Sequence, residues 1–227
     1  MALDVNDKVN GWNLTNNGSV AELTTGLPFA ASSIAADLGT SNSTKYLSLA
    51  DDFNIGGNSD MSIEFWIKLQ TEIASGFYTI FMHESTSGAD RYLDCVYEYN
   101  AGTRRLNITA GQYTITLGTT SWYHLAITRS IAGNTILYVD GVAQITAATS
   151  ASGMGAAAAR FTAGAHPNPT NYSSAIIDDL RIWNDVRTST EINDNKSIEL
   201  AGNEAGLIAY YPFESLIVTN QSYAYFM

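Results

Sequence analysis

The chain has 227 residues, enough for one domain with a sizeable core, and carries 22 acidic against 11 basic side chains for a net charge of −11. That balance leaves no basic stripe to displace counterions, which argues against nucleic acid or an anionic membrane surface as partner and suits cations instead. The single cysteine, Cys95, rules out a disulfide framework and reads as a small core filler. No basic leader followed by an apolar run opens the chain, and no stretch reaches the about 18 uninterrupted apolar residues of a spanning helix.

Residues 1–44 are rich in Asn, Thr, Ser and Ala and read as an irregular lead-in, with a short strand at 21–23. KYLSL (45–49) is a strand, and DDFNIGGNSD (51–60) is a loop of turn formers. MSIEFWIKL (61–69) alternates cleanly: Met61, Ile63, Phe65, Ile67 and Leu69 share one face, and Ser62, Glu64, Trp66 and Lys68 the other. A strand at 78–83 follows. Then 91–99 and 105–110 form a hairpin across Asn100-Ala101-Gly102, and 112–117 alternates again.

WYHLAITR (122–129) and TILYV (135–139) make a second hairpin, and Asp140-Gly141 is a tight turn into 142–146. The low-complexity run at 146–159 reads as a surface loop, 161–165 as a short strand, and HPNPTNYS (166–173) as a Pro/Asn loop. In 175–183, period-2 alternation sets Ile176, Asp178, Leu180 and Ile182 on one face and Ile177, Asp179, Arg181 and Trp183 on the other. On that outer face Arg181 and Trp183 can stack on each other. Asn184-Asp185 breaks the pattern before a short helix beginning at Glu191, capped by Ser189 or Thr190. A late strand occupies 206–214, and the tail 215–227 ends in an apolar run that wants a partner surface.

Short strands with a turn signal every roughly 8 to 12 residues, and almost no helix, predict an all-β chain: a single domain, 1–227, built as a two-sheet antiparallel β-sandwich. SIEFWIKL (62–69), WYHLAITR with TILYVDGV (122–142), IDDLRIWNDVRTSTEI (177–192) and GLIAYYPFE (206–214) then resemble the laminin-G-like branch of the concanavalin A-like lectin/glucanase superfamily. The resemblance implies a jelly roll, frequently with a calcium ion at a sandwich edge, and it implies Asp178 or Asp179 as ligand.

Chemistry is weighed against that scaffold. Glycosidases need two carboxylates roughly 5 to 10 Å apart. Asp178 and Asp179 are adjacent and point to opposite faces of a regular strand, while Asp94 and Glu98 share a face about 13 Å apart. No G-x-S-x-G elbow and no His/Cys cluster is present, so the expectation is a protein that is not an enzyme. For Ca2+ the oxygen-rich loop at Asp51, Asp52 and Asn54 joins Asp178 and Asp179 as a place where hard ligands gather. For a glycan the residues are Tyr172, His166 and Asn168 in the Pro/Asn loop, with Tyr97 and Tyr99 if the sheet face is open.

The expected role is a lectin-like recognition or adhesion module on a virion or cell surface, acting outside the cell on a glycan or host surface. The alternative is a structural decoration or fibre protein that uses its fold for assembly with other virion or surface subunits, through 221–227.

Overall fold

The computed structural model describes residues 3–29, 32, 34–40, 43–50, 53, 59–88, 91–109, 111–148 and 159–214. In chain order the strands are β1 (Thr15–Asn17), β2 (Ala21–Leu23), β3 (Ala35–Asp37), β4 (Tyr46–Leu49), β5 (Met61–Leu69), β6 (Gly76–Ser85), β7 (Arg91–Asn100) and β8 (Thr103–Ile108). They continue as β9 (Gly111–Thr114), β10 (Tyr123–Arg129), β11 (Asn134–Val139), β12 (Val142–Ala148), β13 (Ala159–Ala163), β14 (Ala175–Trp183) and β15 (Leu207–Tyr211), with one helix, α1 (Ser189–Asn195), between the last two. All pairings are antiparallel. The seven-stranded sheet runs β1-β4-β13-β6-β7-β8-β9, and the eight-stranded sheet runs β12-β11-β10-β5-β14-β3-β2, with β15 also on β14. The expected sandwich is the one observed. No helix among the described residues is long and apolar enough to cross a membrane.

Strand β5 shows why. Its odd residues, Met61 to Leu69, are all buried between the sheets, meeting Ile80, Phe81, Leu93, Cys95 and Leu106 from the opposite layer. Phe65 and Phe81 cross edge to face at 5.7 Å. Each such large apolar side chain contributes about 1.5 to 3 kcal/mol by leaving water.

The lead-in is less irregular than its composition suggests. β1 pairs with β4, β2 with β3, and β3 with β14. The strand expected at 21–23 is β2; β1 and β3 carry no hydrophobic alternation of their own, so their partners impose the extended backbone.

The helix also departs from expectation: it starts at Ser189, and Thr188 is its cap. Thr188 Oγ1 accepts from the Glu191 N–H while the Glu191 carboxylate accepts from the Thr188 N–H, a reciprocal capping box. The helix seats on the β11–β12 turn, where Ser189 Oγ and Asn193 Nδ2 both donate to the Gly141 carbonyl. Gly141 has φ 83° and a Cβ there would run into the Asn193 amide, so this turn favours glycine.

Beneath the helix the outer face of the eight-stranded sheet is sealed. Trp183 Nε1 donates to Glu64 Oε1 at 2.9 Å, and Trp66 Nε1 donates to the Lys196 carbonyl at 2.6 Å. Arg181 donates to the Asn195 and Ile198 carbonyls at 2.9 and 2.6 Å, capping the C-terminal end of α1. The anticipated Arg181–Trp183 stack does not form. Arg187 lies over the Trp183 ring at 3.9 Å, and Arg181 faces Tyr210 at 5.8 Å.

Candidate functional site

Two places gather polar chemistry, and a β-bulge builds each. The first is on β14. Its register with β5 runs to Asp178↔Trp66 and resumes at Arg181↔Glu64, so one extra residue sits on β14. Asp179 takes φ 55°, the left-handed conformation that a bulge can require. The extra residue reverses the alternation: Ala175, Ile177, Leu180 and Ile182 face the core. The expected face of Ile176, Asp178, Leu180 and Ile182 is therefore wrong beyond Asp178, because period 2 fails across a bulge.

Adjacent acids on a regular strand diverge, but here both line one closed recess, together with Ser32, Glu199, Tyr210 and Glu214. The recess lies where the edge partner of β14 changes from β3 to β15. Ser32 Oγ donates to Asp178 Oδ2 at 2.5 Å. Burial pushes the Asp178 carboxyl up to about 8, opposed by the Ser32 bond and reinforced by the like charges of Asp179 and Glu214. Asp179 is pushed to about 6 by burial against the pull of Arg181, with which it forms an ion pair. Tyr210 also bonds to Asp179, and burial and that charge drive its phenol far up.

Of the predicted metal ligands, the structure thus brings Asp178 and Asp179 together. Asp179 is committed to Arg181 and Tyr210. Asp178 Oδ1 has no hydrogen-bond partner among the described residues, an unmet oxygen of the kind a hard cation takes, in a recess that Phe29 and Pro212 share with the polar groups. Among the described residues no three His, Cys, Asp or Glu side chains converge as a ligand set, so backbone or hydroxyl oxygens would have to complete the shell. Asp51, Asp52 and Asn54 lie outside the described residues.

The second place is a cleft of about 420 Å³ on the outer face of the seven-stranded sheet. A bulge on β6 between Thr79 and Phe81 turns Phe81 inward and leaves Thr79 and Met82 on the cleft floor. From β7 come Asp94, Val96 and Glu98, and from β8 Asn107. Phe77, 49 % exposed at the start of β6, stands at one end. Thr109 Oγ1 donates to Asp94 Oδ1 at 2.6 Å, and Asn107 Nδ2 donates to Glu98 Oε2 at 2.6 Å. Each carboxylate is held by its own donor.

The Pro/Asn loop borders the cleft on one side. Its His166 N–H donates to the Thr170 carbonyl at 3.0 Å, and the Asn171 carbonyl accepts from the Thr79 N–H at 2.9 Å, which pins the loop to β6. His166 and Asn171 both line the cleft. The Asn168 N–H donates to His166 Nδ1 at 3.1 Å, which makes Nδ1 the acceptor and leaves Nε2 as the donor of the ring.

The other expected glycan residues are elsewhere. Tyr172 packs against Tyr46 at 6.2 Å and is not part of the cleft lining. Tyr97 is fully buried between the sheets, its hydroxyl accepting from the Leu117 N–H at 3.0 Å, so no ligand reaches it. Tyr99 packs against the same core and under Arg104, 4.8 Å from its ring. The tyrosines of β7 occupy the inward parity, and the outward one belongs to Asp94, Val96 and Glu98. Phe77 and Asn107 were missed. Asn107 was legible as the residue opposite Val96 in the predicted hairpin. Phe77 carries no pattern signal, standing alone beside Gly76.

Residues 40–193 match the family model described as the concanavalin A-like lectin/glucanases superfamily, laminin-G type. The chain belongs to this family. No curated protein matches it by sequence. This laminin-G-like chain is similar to domain 4 of AbnA, an extracellular arabinanase from Geobacillus stearothermophilus solved with arabinotriose. There the identity is 18 %, the TM-score 0.61, and the alignment covers 84 % of this chain and 92 % of that one. It is also similar to the ligand-binding domain of botulinum neurotoxin serotype D solved with N-acetylneuraminic acid, at 15 % identity and TM-score 0.58, covering 84 % of this chain and 50 % of that one. A heptameric pentraxin from Limulus polyphemus gives 17 % identity and TM-score 0.54, covering 66 % of this chain and 76 % of that one. At such identities the likeness is one of fold.

Proposed function

We propose that this laminin-G-like domain is a non-enzymatic recognition module that binds a glycan in the β6–β8 cleft. Its place of work, on this reading, is an exposed surface, of a cell or of a virion, where it serves adhesion. The observation that carries the proposal is the pairing of a half-exposed aromatic, Phe77, with carboxylate and amide side chains in one cleft. A sugar ring presents an apolar C–H face, which stacks on such a ring, and an edge of hydroxyls. Those hydroxyls find acceptors in Asp94 and Glu98 and donors in the Asn171 amide and His166 Nε2. The cleft volume falls in the range of roughly 300 to 1,000 Å³ common to small-ligand sites.

Hydrolysis is the less favoured use. Four residues of strand separate Asp94 from Glu98 by about 13 Å, beyond the roughly 5 to 10 Å that glycosidic cleavage requires. Fold relatives solved with arabinotriose and N-acetylneuraminic acid support the carbohydrate class.

Calcium belongs to the same proposal as a structural ion. Asp178 would hold it, aided by Ser32 and Glu214, and its positive charge would let the Asp178 carboxyl ionise in a site that otherwise resists it.

A glycan array probed with the wild-type protein and with Phe77→Ala tests the reading. Binding lost in the variant supports it. An array blank for the wild type, with and without calcium, leaves the assembly role as the surviving alternative, and removal of 221–227, which lies outside the described residues, then reads out that role through oligomeric state.

A further inference from the structure

We infer that the cleft prefers sugars bearing an acetamido group, the N-acetylhexosamines, over the plain hexoses of the same shape. This rests on the glycan reading of the cleft and deepens it by naming the ligand class. The strand register lays out the cleft face as a grid. Phe77 of β6 stands opposite Glu98 of β7, and Thr79 stands opposite Val96. Val96 in turn stands opposite Asn107 of β8. Between the two acids of β7, Asp94 and Glu98, Val96 is an apolar side chain that lines the cleft and keeps contact with solvent. Opposite side chains on one face start about 5 Å apart, and diagonal ones about 7 to 8 Å. Glu98 therefore lies beside Phe77, and Val96 lies diagonally from it, within the span of one sugar ring and a substituent.

These positions match the parts of such a sugar. The C–H face of the ring stacks on Phe77. The acetamido N–H donates to the Glu98 carboxylate, which Arg105 at 3.7 Å and Asn107 Nδ2 at 2.6 Å hold in place. A carboxylate offers about four lone-pair sites, so these partners leave it capacity to accept. The acetamido methyl rests on Val96, with Met82 and Ile108 also lining the cleft. The acetamido carbonyl faces the side-chain amide of Asn171, whose backbone carbonyl accepts from the N–H of Thr79, the residue opposite Val96. The choice against a plain hexose is made at Val96. A hydroxyl placed there leaves water and finds no partner on an alkyl side chain, which costs affinity. A methyl placed there gives up no hydrogen bond and takes apolar surface out of water.

The test titrates pairs that differ only in acetamido against hydroxyl: N,N′-diacetylchitobiose with cellobiose, and N-acetylgalactosamine with galactose. Wild type should bind the acetylated member of a pair at least about tenfold more tightly. Val96→Thr, which exchanges a methyl for a hydroxyl at nearly constant shape, should narrow that gap. Saturation-transfer NMR on the wild type reads the same contact without a variant, and the acetamido methyl should receive the strongest saturation. Equal binding within the pairs, a gap untouched in the folded Val96→Thr variant, or saturation confined to the ring protons overturns the inference and leaves the glycan reading intact. Failure to bind either pair, while the array shows other sugars, does the same. A blank array overturns both.

Discussion

The outer faces of the two sheets start from similar materials and end as opposites. On the eight-stranded sheet, Glu64, Trp66, His124, Arg181 and Trp183 are all buried beneath α1 and the segment after it. On the seven-stranded sheet, Phe77, Glu98 and Asn107 keep contact with solvent around an open cleft. Both faces carry aromatics and carboxylates. What separates the two is the lid: where α1 and its carbonyls cover the face, the side chains hold the fold together, and where only the edge of the Pro/Asn loop borders them they stay open to solvent.

The sharpest way to break this comparison is to remove Arg181. Its loss strands Asp179 and Glu64 as buried acids and uncaps α1, so Arg181→Ala should destabilise by about 3 to 5 kcal/mol, read by chemical denaturation. A small change there would mean the sealed face is not a core. Trp183→Ala, which opens a cavity and frees Glu64, should fall at the lower end of the same range, about 3 kcal/mol. Gly141→Ala comes next. It forces a Cβ against Asn193 at a left-handed φ, and a loss of about 1 to 3 kcal/mol is expected, accompanied by loosening of α1 in hydrogen exchange.

The buried acids make a signed prediction about pH. Asp178, Glu64 and Asp179 have folded-state values of about 8, 7 and 6, all raised above those of an unfolded chain. A raised acid binds its proton more tightly when folded, so its stabilisation is complete below pH about 4 and is lost as pH climbs through the folded value. In EDTA, stability should therefore decline between pH 5 and 8, and Asp178→Asn should flatten the upper part of that decline. Added calcium should raise the melting temperature of the wild type above pH 7 and not that of the variant, since an ion bound only by the folded state stabilises it. His83 opposes the acids: buried beside Arg129, it is held down to about 3, so its own contribution falls as pH drops below about 6.5 and makes the gain toward pH 5 shallower.

The smallest effect on stability belongs to the open face. Phe77→Ala should change folding by no more than about 0.5 kcal/mol, as an exposed substitution does, while abolishing glycan binding. A large loss of stability would instead make Phe77 a packing residue and weaken the contrast between the faces.

The sandwich itself was legible because the alternation in 61–69 and 122–129 sets one continuous apolar face apart from a polar one, and burial of the apolar face is what drives folding. Cys95 in the core and the Asp140-Gly141 turn followed from the same logic. The site was harder to read. Tyr97 and Tyr99 looked like sugar platforms, yet the parity of β7 turns them inward. Asp178 and Asp179 looked divergent, yet one inserted residue brings them together. A hint was present: Ile177, Leu180 and Ile182 cannot share a face at strict period 2, although all three are apolar enough to be buried.

By itself, then, the order of residues determined the layers, the main hairpins and the family, since those depend on local alternation and turn chemistry. Which acids meet, which tyrosines are exposed and which sheet face stays open were decided only in three dimensions. A bulge shifts every later side chain to the other face, and a lid formed by distant residues determines whether a polar face is core or cleft.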